Sequence, residues 1–485
     1  MTVLVLDIGS SSARAMLFDD RARAIADASV AQPYTMTTQP QGAGTFDVAV
    51  LRDAVETCID RVLQHPRAGD IRAVGMDTFA HNILGLDSTG AALTPLYTYA
   101  DSRSVPDIAQ LREQIDAAAF HQRTGSVNHA AYLPGRLYWL RRTAPEIFTQ
   151  VVRWVDIATY LYGLWLDHPV CSSSIASWSG MLDVAQRDWD QGWLDVLGLE
   201  RTLLPDIADY HAVARGLAPD YAARWPQLRD VPFALGVGDG AAANVGSGST
   251  DRNSIALSVG TTAALRVMLS GSAVLDVPSG LWRYVLDFEH YLVGGATTEG
   301  GNIYNWLRGV LQMPDSETIE DALITQMPGA HGLVVLPLLG GERSPGWRGY
   351  ASGAIDGLRL STTALDIVRA ALEGVALRLA LVSEQLADFV SAETPVYASG
   401  GALAASPGWS RLIANALNRP LHLLSEAEIT ARGTAILALR VLDPDFTPDP
   451  PERAAIYQPD PDHHAALRDA LDRQHALYDH LSTDR

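Results

Sequence analysis

Residues 3–19 (VLVLDIGSSSARAMLFD) and 255–270 (IALSVGTTAALRVMLS) share one pattern, and this pattern decides the fold. In each segment an apolar run leads into a glycine and hydroxyl residues, and a second apolar run follows, which predicts two strands joined by a tight turn. The turn glycine lets a ligand approach the backbone, and the hydroxyl and N–H groups can bind phosphate oxygens. Gly9 and Gly260 lie 260 − 9 = 251 residues apart, so the pattern predicts one phosphate-binding hairpin in each of two domains, with ATP held between them.

The two hairpins differ at the position two residues before the glycine. The first hairpin has Asp7 there, whereas the second has Ser258. A single carboxylate beside bound phosphates suits a hard cation such as Mg²⁺, held directly or through water. We therefore predict that Asp7 organises a magnesium ion at the first hairpin, and that ATP and Mg²⁺ are the cofactors.

The length and composition predict a folded soluble protein of at least two domains. A chain of 485 residues is too long for one ordinary core, and its 47% hydrophobic and 19% charged residues are typical of globular proteins. A polar turn at 249–254 precedes the second hairpin, so we predict domains over residues 1–248 and 249–485. The net charge of 36 − 56 = −20 argues against nucleic acid or an anionic membrane surface as partner, because both require a positive face.

The cysteine content and the N-terminus predict a cytoplasmic location. Only Cys58 and Cys171 are present and no CxxC motif occurs, which argues against a thiolate zinc site and indicates a reducing compartment. The N-terminal MTVLVLDIGSS has no basic start and is predicted to be a strand rather than a signal peptide. No apolar run approaches the roughly 18 residues that a membrane-spanning helix needs.

Apolar spacing predicts the larger elements between the motifs. Helices are predicted over 111–122, 365–389 and 462–481. The serine-rich stretch over 169–190 is predicted to be irregular or to contain short strands.

A carboxylate between two glycines stands at a predicted strand end. Residues 232–248 (PFALGVGDGAAANVGSG) predict an apolar strand, a glycine-rich turn containing Asp239, and a helix of small residues. In phosphoryl transfer a carboxylate so placed orients the attacking hydroxyl and accepts its proton. The alternative is that Asp239 only caps the following helix, and the local pattern by itself favours capping.

Four further segments place glycine or polar residues at predicted strand ends. Residues 398–405 (ASGGALAA) follow the strand TPVY, and their paired glycines allow either a nucleoside base to lie on bare backbone or a tight packing turn. The clusters TFAHN at 78–82, DSR at 101–103 and ERSPGW at 342–347 each follow an apolar run. Polar side chains at strand ends are typical of binding sites in α/β proteins, although a single histidine there is more often structural.

Taken in order, these segments resemble the motifs of the FGGY family of carbohydrate kinases, within the actin, sugar kinase and Hsp70 superfamily. LDIGSSSARAMLFD and LSVGTTAALRVM are similar to the family's two phosphate motifs, and GVGDGAAANVGSG is similar to the segment that bears its catalytic Asp. VYASGGALAASPGWSRLIANAL is similar to the adenosine motif, and EITARGTAILA to a small-residue helix near the C-terminus. The resemblance spans essentially the whole chain, and five motifs in the family's order are specific where each alone is weak.

The resemblance implies an α/β protein with the two-lobed, actin-like ATPase (ribonuclease H-like) fold and a central cleft for ATP and a sugar. It implies that Asp239 takes the proton of the sugar hydroxyl and, together with Asp7, belongs to the Mg²⁺ site. The residues that it assigns to the phosphates and the nucleoside are Gly9, Ser10, Ser11, Gly260, Thr261, Thr262, Gly400, Gly401 and Ala402. The residues that it assigns to the sugar are His81, Asn82, Asp101, Arg103 and Asp239.

The substrate is predicted from two segments. GERSPGW and the loop at 101–103 look most like the gluconate kinase branch, which implies phosphorylation of D-gluconate to 6-phosphogluconate. Arg103 and His81 are then the candidate partners of the substrate carboxylate. The AHN at 80–82 departs from the family's MHG-like stretch, so xylulose, another ketose or a polyol is the alternative.

Two other classes of function stay open at this point: a nucleotide-regulated binding protein on the same fold, and a homologue that senses a sugar without turnover. The retained Asp7 and Asp239 favour the kinase. The expected partner is a small-molecule sugar or sugar acid, with neither nucleic acid nor membrane. The resemblance allows a homodimer, because family members are often dimers, but the sequence does not reveal the oligomeric state.

Overall fold

The computed structural model describes residues 1–271 and 276–483, and these residues form two lobes, each built on one mixed β-sheet. The strands of the first half of the chain are β1 (Thr2–Ile8), β2 (Ser12–Asp19), β3 (Ala24–Pro33), β4 (Thr45–Phe46), β5 (Ile71–Thr78), β6 (Leu84–Leu86), β7 (Leu96–Tyr97), β8 (Arg153–Val155), β9 (Cys171–Ser172), β10 (Leu182–Asp183), β11 (Asp188–Trp189), β12 (Ile207–Ala208) and β13 (Val237–Gly238). Its α-helices are α1 (Val48–Val62), α2 (Val105–Arg112), α3 (Ala117–Thr124), α4 (Leu133–Thr143), α5 (Pro145–Gln150), α6 (Ile157–Leu166), α7 (Ser173–Trp178), α8 (Gln191–Leu197), α9 (Pro219–Arg224) and α10 (Asp239–Gly246).

The second half of the chain forms the second lobe and one helix that reaches back to the first. Its strands are β14 (Ile255–Val259), β15 (Ala263–Ser270), β16 (Trp282–Asp287), β17 (His290–Thr297), β18 (Val334–Leu336), β19 (Ala354–Asp356), β20 (Val396–Ser399), β21 (Leu421–Leu424) and β22 (Arg453–Tyr457). Its helices are α11 (Asn302–Val310), α12 (Ser316–Thr325), α13 (Ala364–Gln385), α14 (Gly401–Ala405), α15 (Pro407–Leu417), α16 (Ile429–Leu442) and α17 (Pro461–Thr483). In these described residues, no helix combines the length and apolarity that crossing a membrane requires.

The two sheets have the same arrangement around their phosphate hairpins. The first sheet has the strand order β13-β5-β1-β2-β3, and the second has the order β16-β17-β15-β14-β20-β21-β22. In each, the strand before the turn pairs antiparallel with its hairpin partner (β1 with β2, β14 with β15) and parallel with its other neighbour (β5, β20). The two hairpins predicted from the sequence are therefore confirmed, and they occupy equivalent positions in the two lobes.

The central strand of the first lobe is buried along its whole length. All seven residues of β1 are buried, which requires apolar elements on both faces of the sheet. One face is covered by α1, which buries Leu51, Val55 and Ile59 at helical spacing and is capped by the Asp47 carboxylate. The other face is covered by α16, which packs against β1 and β5 although it lies in the chain between β21 and β22 of the second sheet.

The helices α10 and α16 cross with their backbones in contact. At the crossing Gly246 faces Gly433, and a Cβ atom added to Gly433 would overlap the carbonyl oxygen of Ala242. Only glycine allows this approach, because any side chain would separate the two helices. The crossing fixes one helix of each half of the chain against the other.

Three predicted elements differ from the structure. The single helix predicted over 111–122 is two helices, α2 and α3, because the chain turns at 113–116 and the Asp116 carboxylate accepts the Ala119 N–H to start α3. The stretch over 169–190 has the predicted short strands but also contains α7, which begins where Ser172 caps the helix by accepting the Ile175 N–H. No turn separates β13 from α10, since Asp239 is itself the first helical residue.

We predict that Gly433→Ala lowers the free energy of unfolding by at least about 2 kcal/mol, because overpacking a closed contact forces the backbone to shift. The midpoint of thermal unfolding falls accordingly. Differential scanning calorimetry measures the midpoint. The matched control is Gly309→Ala in α11, where a Cβ atom meets nothing within 4 Å. That change is expected to be neutral or to stabilise by up to about 1 kcal/mol, because alanine is the better helix former. Equal midpoints for the two variants would contradict the proposed constraint at the crossing.

Candidate active site

A cavity of about 150 Å³ lies between the lobes and is lined by residues of both. We call it the central cavity. The residues that line it are Ser10, Phe79, Ala80, His81, Tyr99, Trp178, Asp239, Gly240, Thr262, Ala264, Arg266, Trp282, Tyr284, Ala296 and Arg343. Ser10 and Thr262 come from the two phosphate hairpins, so both hairpins meet at the cavity that contains Asp239.

Asp239 lies in the cavity wall at the N-terminus of α10. The N-cap residue is Gly238, and the Asp239 carboxylate accepts the N–H of Gly240 at 2.7 Å. Burial raises the pKa of Asp239 to about 6, and the Arg266 guanidinium opposes this rise. A half-buried carboxylate with a raised pKa, open to a cavity, is suited to accept a proton from a bound hydroxyl.

The two glycines around Asp239 are required by Trp178. A Cβ atom on Gly238 would lie 2.8 Å from Cε2 of the indole, and one on Gly240 would lie 2.5 Å from Cη2. Trp178 also stacks on Tyr284 with ring centroids 4.3 Å apart, and Tyr284 stacks on Trp282 at 4.2 Å. These three stacked rings, whose planes are inclined to one another by 15° to 40°, form one wall of the central cavity, an apolar face of the kind against which the C–H groups of a sugar can pack.

His81 lines the central cavity and carries a buried hydrogen-bond acceptor. Its Nδ1 lies within hydrogen-bond distance of the carbonyl oxygen of Trp178, which can only accept, so Nδ1 carries the proton and Nε2 carries the lone pair. Nε2 is buried and has no hydrogen-bond partner among the described residues. Burial, with Arg343 adding to the effect, lowers the pKa of His81 well below its usual value, so the imidazole is neutral. The backbone of His81 has a φ of +57°, a strained conformation that aims the ring.

Two arginines face Asp239 from the second lobe. Arg266 on β15 is 6% exposed, and within the described part of the chain its Nη atoms approach Ser258 Oγ alone, at 3.3 and 3.5 Å. Arg343 lies in the loop that follows β18, and its Nε is buried without a hydrogen-bond partner among the described residues, as is the Nε of Arg266. The central cavity therefore contains two guanidinium groups and one carboxylate.

Three of the predicted sugar-binding residues are engaged elsewhere. The Asn82 amide donates to the carbonyl oxygen of Phe79 at 2.7 Å and accepts the N–H of Ile157 at 2.8 Å, so it ties a loop to α6. Asp101 accepts from the Arg103 guanidinium at 2.5 Å, and that guanidinium lies 4.5 Å from the centroid of the Trp139 ring. Neither Asp101, Arg103 nor Asn82 lines the central cavity, whereas His81 and Asp239 do.

Asp7 has a second carboxylate beside it. Asp77 lies opposite Asp7 in the parallel register of β1 and β5, its Oδ2 accepts from Thr434 of α16 at 2.6 Å, and its buried Oδ1 has no hydrogen-bond partner among the described residues. Arg14 donates to Asp7 at 2.6 Å and to Glu428 at 2.5 Å. Burial raises the pKa of both Asp7 and Asp77, and for Asp7 the Arg14 guanidinium opposes this rise.

These oxygens could hold a divalent cation only with help from a ligand. Within residues 1–271 and 276–483, no group of three or more His, Cys, Asp or Glu side chains is arranged to hold a metal ion. Mg²⁺ usually binds through one or two carboxylates together with substrate phosphates and water, so the unpartnered Oδ1 of Asp77 and the Asp7 carboxylate form a donor set of the right chemistry.

A larger cleft of about 530 Å³ adjoins the second hairpin. We call it the nucleotide cleft, and the residues that line it are Gly260, Thr261, Gly301, Tyr304, Asn305, Arg308, Ser316, Ile319, Glu320, Leu372, Gly401, Ala402, Ala405, Ser406 and Trp409. Gly400 has a φ of +126°, and a Cβ atom on it would overlap the carbonyl oxygen of Val259, so only glycine can bring α14 beside the hairpin. At Gly401 a Cβ atom would meet nothing within 4 Å, which leaves bare backbone facing the cleft.

The second hairpin turn separates the two spaces. Gly260 and Thr261 line the nucleotide cleft, whereas the next residue, Thr262, lines the central cavity. In the first hairpin the Gly9 N–H donates to the carbonyl oxygen of Ser12 at 3.0 Å, which closes the turn, while Ser10 faces the central cavity and Ser11 is exposed. A phosphate chain that begins in the cleft can therefore reach the cavity only past these turns.

Sequence reasoning did not single out five residues of the site: Asp77, Trp178, Arg266, Trp282 and Tyr284. Asp77 was part of a predicted strand, and the only available signal was a carboxylate at the end of a buried run. Trp178 lay in a stretch predicted without helix. Arg266, Trp282 and Tyr284 are polar or aromatic residues inside strands, and their alternation along the strand does not reveal which face lines a cavity.

Comparison with known proteins identifies the family to which the chain belongs. Residues 2–246 match the N-terminal domain of the FGGY family of carbohydrate kinases, and residues 255–442 match its C-terminal domain. The chain is 27% identical over 452 residues to a gluconokinase from Bacillus subtilis (strain 168), with 90% of this chain and 87% of that protein covered.

Two solved structures resemble it over nearly their full length. One is a gluconate kinase from Lactobacillus acidophilus, with a TM-score of 0.90, 26% identity and coverage of 99% of this chain and 98% of that one. The other is a xylulose kinase from Lactobacillus acidophilus, with a TM-score of 0.91, 25% identity and the same coverage of 99% and 98%. The predicted α/β, two-lobed actin-like fold is confirmed by these neighbours. The chain thus belongs to the FGGY family of carbohydrate kinases and is a phosphotransferase.

Proposed function

We propose that the protein transfers the γ-phosphoryl group of ATP to a hydroxyl group of a sugar acid, with D-gluconate as the leading substrate and 6-phosphogluconate as the product. D-Xylulose or another ketose or polyol is the alternative, since relatives at 25–27% identity include both gluconate and xylulose kinases. The observation that carries the proposal is the presence of Asp239, Ser10 and Thr262 in one cavity. We place the reaction in the cytoplasm, where ATP is available and the free, buried Cys58 and Cys171 stay reduced.

Asp239 acts as the general base in this proposal. A sugar in the central cavity packs on the rings of Trp178, Tyr284 and Trp282, and His81 Nε2 accepts a hydrogen bond from one of its hydroxyl groups. The Asp239 carboxylate orients the attacking hydroxyl and takes its proton as the new O–P bond forms. Phosphoryl transfer depends mainly on the alignment of the reacting groups and on stabilisation of their charge. These contacts contribute to the rate by aligning the attacking hydroxyl.

The hairpins hold the phosphates. We place the nucleoside of ATP in the nucleotide cleft against Gly401 and Ala402, with its phosphates running past Thr261 towards Thr262. The N–H and hydroxyl groups of Gly260, Thr261 and Thr262 from one lobe, and of Gly9, Ser10 and Ser11 from the other, then donate to the phosphate oxygens. Closure of the lobes would exclude water, which otherwise competes with the sugar as acceptor.

Asp7 and Asp77 are the proposed holders of Mg²⁺, with Asp239 beside them. When bound, the cation would neutralise charge on the phosphate oxygens during transfer. Arg14 keeps Asp7 in place through its hydrogen bond, and Thr434 does the same for Asp77. Asp77 is an addition to the pair, Asp7 and Asp239, that the sequence predicted.

We predict that Asp239→Asn lowers kcat for D-gluconate by at least about a hundredfold, because the amide cannot accept the hydroxyl proton. ATP binding should stay within about threefold of the unaltered protein, since Asp239 lies outside the nucleotide cleft. ADP release is measured with ATP and Mg²⁺ across D-gluconate, D-xylulose, L-ribulose, L-fuculose, glycerol and erythritol.

The control for this variant is Asp53→Asn on the exposed side of α1, which should leave kcat unchanged. Near-normal turnover in Asp239→Asn would remove this residue from the role of base. Silence with every sugar in the unaltered protein, despite ATP binding, would contradict the proposed reaction with these acceptors.

We predict that Gly401→Leu raises the KM for ATP by about tenfold or more and leaves the KM for the sugar nearly unchanged. The side chain would project into open space within the nucleotide cleft and occupy the place proposed for the nucleoside. Initial rates at varied ATP and varied sugar separate the two constants. Gly309→Leu on exposed α11 is the matched control, and an equal rise in both KM values for Gly401→Leu would argue against a nucleoside at this position.

A further inference from the structure

The charges of the central cavity do not balance in the described structure. Arg266 and Arg343 line it with Asp239, and His81 is neutral. Two guanidinium groups and one carboxylate leave an excess of one positive charge. A charge removed from water without a partner is unfavourable, so a cavity with this composition favours a ligand that brings a negative charge.

Arg266 is the more deeply buried of the two cations. Among the described residues the carboxylate that acts on it is Asp239, and the hydrogen bonds of its guanidinium are the two long ones to Ser258 Oγ. Burial, with Arg343 adding to the effect, lowers the pKa of Arg266 to about 10, which still leaves it charged at neutral pH. The Nε atom, which would lie 3.1 Å from a Cβ on Gly240, is buried and unpartnered.

Among the residues that the structure describes, Arg343 forms no salt bridge within 4 Å, although a carboxylate precedes it in the chain. The Glu342 carboxylate is bound by the Arg378 guanidinium, by Tyr478 Oη at 2.5 Å and by the Gly346 N–H at 3.3 Å. These contacts turn Glu342 away and anchor the loop, so that Arg343 extends into the central cavity. The backbone carbonyl oxygen of Arg343 accepts the Trp347 N–H at 2.7 Å, which fixes the loop on its other side.

The cation predicted from the sequence to bind a substrate carboxylate is not available. Arg103 is ion-paired with Asp101, stacks over Trp139, and lies outside the central cavity. The charge that a sugar acid requires is instead supplied by residues of the second lobe, opposite His81 and Trp178.

We propose that the guanidinium groups of Arg266 and Arg343 together bind the carboxylate of the substrate and make the central cavity selective for a sugar acid over a neutral sugar of the same shape. This inference rests on the proposed function, because it assumes that the cavity holds the phosphoryl acceptor. Planar guanidinium groups suit the role, since each can donate two parallel hydrogen bonds to a carboxylate.

The test compares D-gluconate with its neutral amide, D-gluconamide, which has nearly the same shape. In the unaltered protein, kcat/KM is expected to be at least about tenfold higher for the acid. Arg266→Gln and Arg343→Gln should each lower kcat/KM for D-gluconate by roughly tenfold to a hundredfold and lower the ratio of kcat/KM for the acid to that for the amide by about tenfold, because any effect of the lost charge on Asp239 acts on both substrates alike. Arg343→Lys, which keeps the charge, should recover part of the loss.

Binding is measured separately from turnover. Trp178 and Trp282 line the central cavity, so quenching of tryptophan fluorescence reports D-gluconate binding without ATP. Arg103→Gln is the matched control and should bind D-gluconate with unchanged affinity. Circular dichroism and thermal midpoints establish that each variant is folded. If Arg343→Gln does not fold, Arg343→Lys replaces it in the comparison.

Distinct outcomes separate this inference from the proposed function. Equal losses for acid and amide would show that the arginines act on the chemical step rather than on the substrate charge, and would overturn the inference. Turnover of neutral sugars alone, abolished by Asp239→Asn, would also overturn it while the kinase reaction stands. If no acceptor is phosphorylated, the proposed function fails, and fluorescence still decides whether the two arginines bind a carboxylate.

Discussion

The backbone contact between α10 and α16 is the constraint on which the rest of the site depends. Gly246 and Gly433 let the helices touch, and this contact orients the residues at their ends. Asp239 begins α10, Thr434 of α16 binds Asp77, and Glu428 at the start of α16 binds Arg14 beside Asp7. A helix that lies in the chain between two strands of the second sheet thus organises the carboxylates of the first lobe.

The candidate active site contains an acidic region close to a positively charged region. Asp7 and Asp77 form a buried acidic pair beside the first hairpin, whereas Arg266 and Arg343 make the central cavity positive. The whole chain has a formal net charge of −20, so this positive region is local. Charges in enclosed, low-dielectric surroundings act more strongly than exposed ones, which is why a few buried residues outweigh the acidic surface at the position of the substrate.

Local backbone patterns predicted much of the site. The two hairpins, Asp239 between its glycines and the glycine pair at 400–401 are each recognisable within a few residues, because tight turns and close approaches restrict which residues can occur. The same reasoning missed the break at 113–116, and it did not reveal that Arg103 pairs with Asp101. Both features depend on contacts that the spacing of apolar residues does not determine.

The sequence by itself determined the fold class and the two glycine-turn hairpins, because these features depend on local spacing and on glycines at special backbone positions, and it led to the prediction that Asp239 is the base. Only the tertiary structure decided which charges share a cavity. Asp7 meets Asp77 through strand register, and Asp239 meets Arg266 and Arg343 through the packing of one lobe on the other. Such contacts join residues far apart in the chain, so neither spacing nor composition contains them.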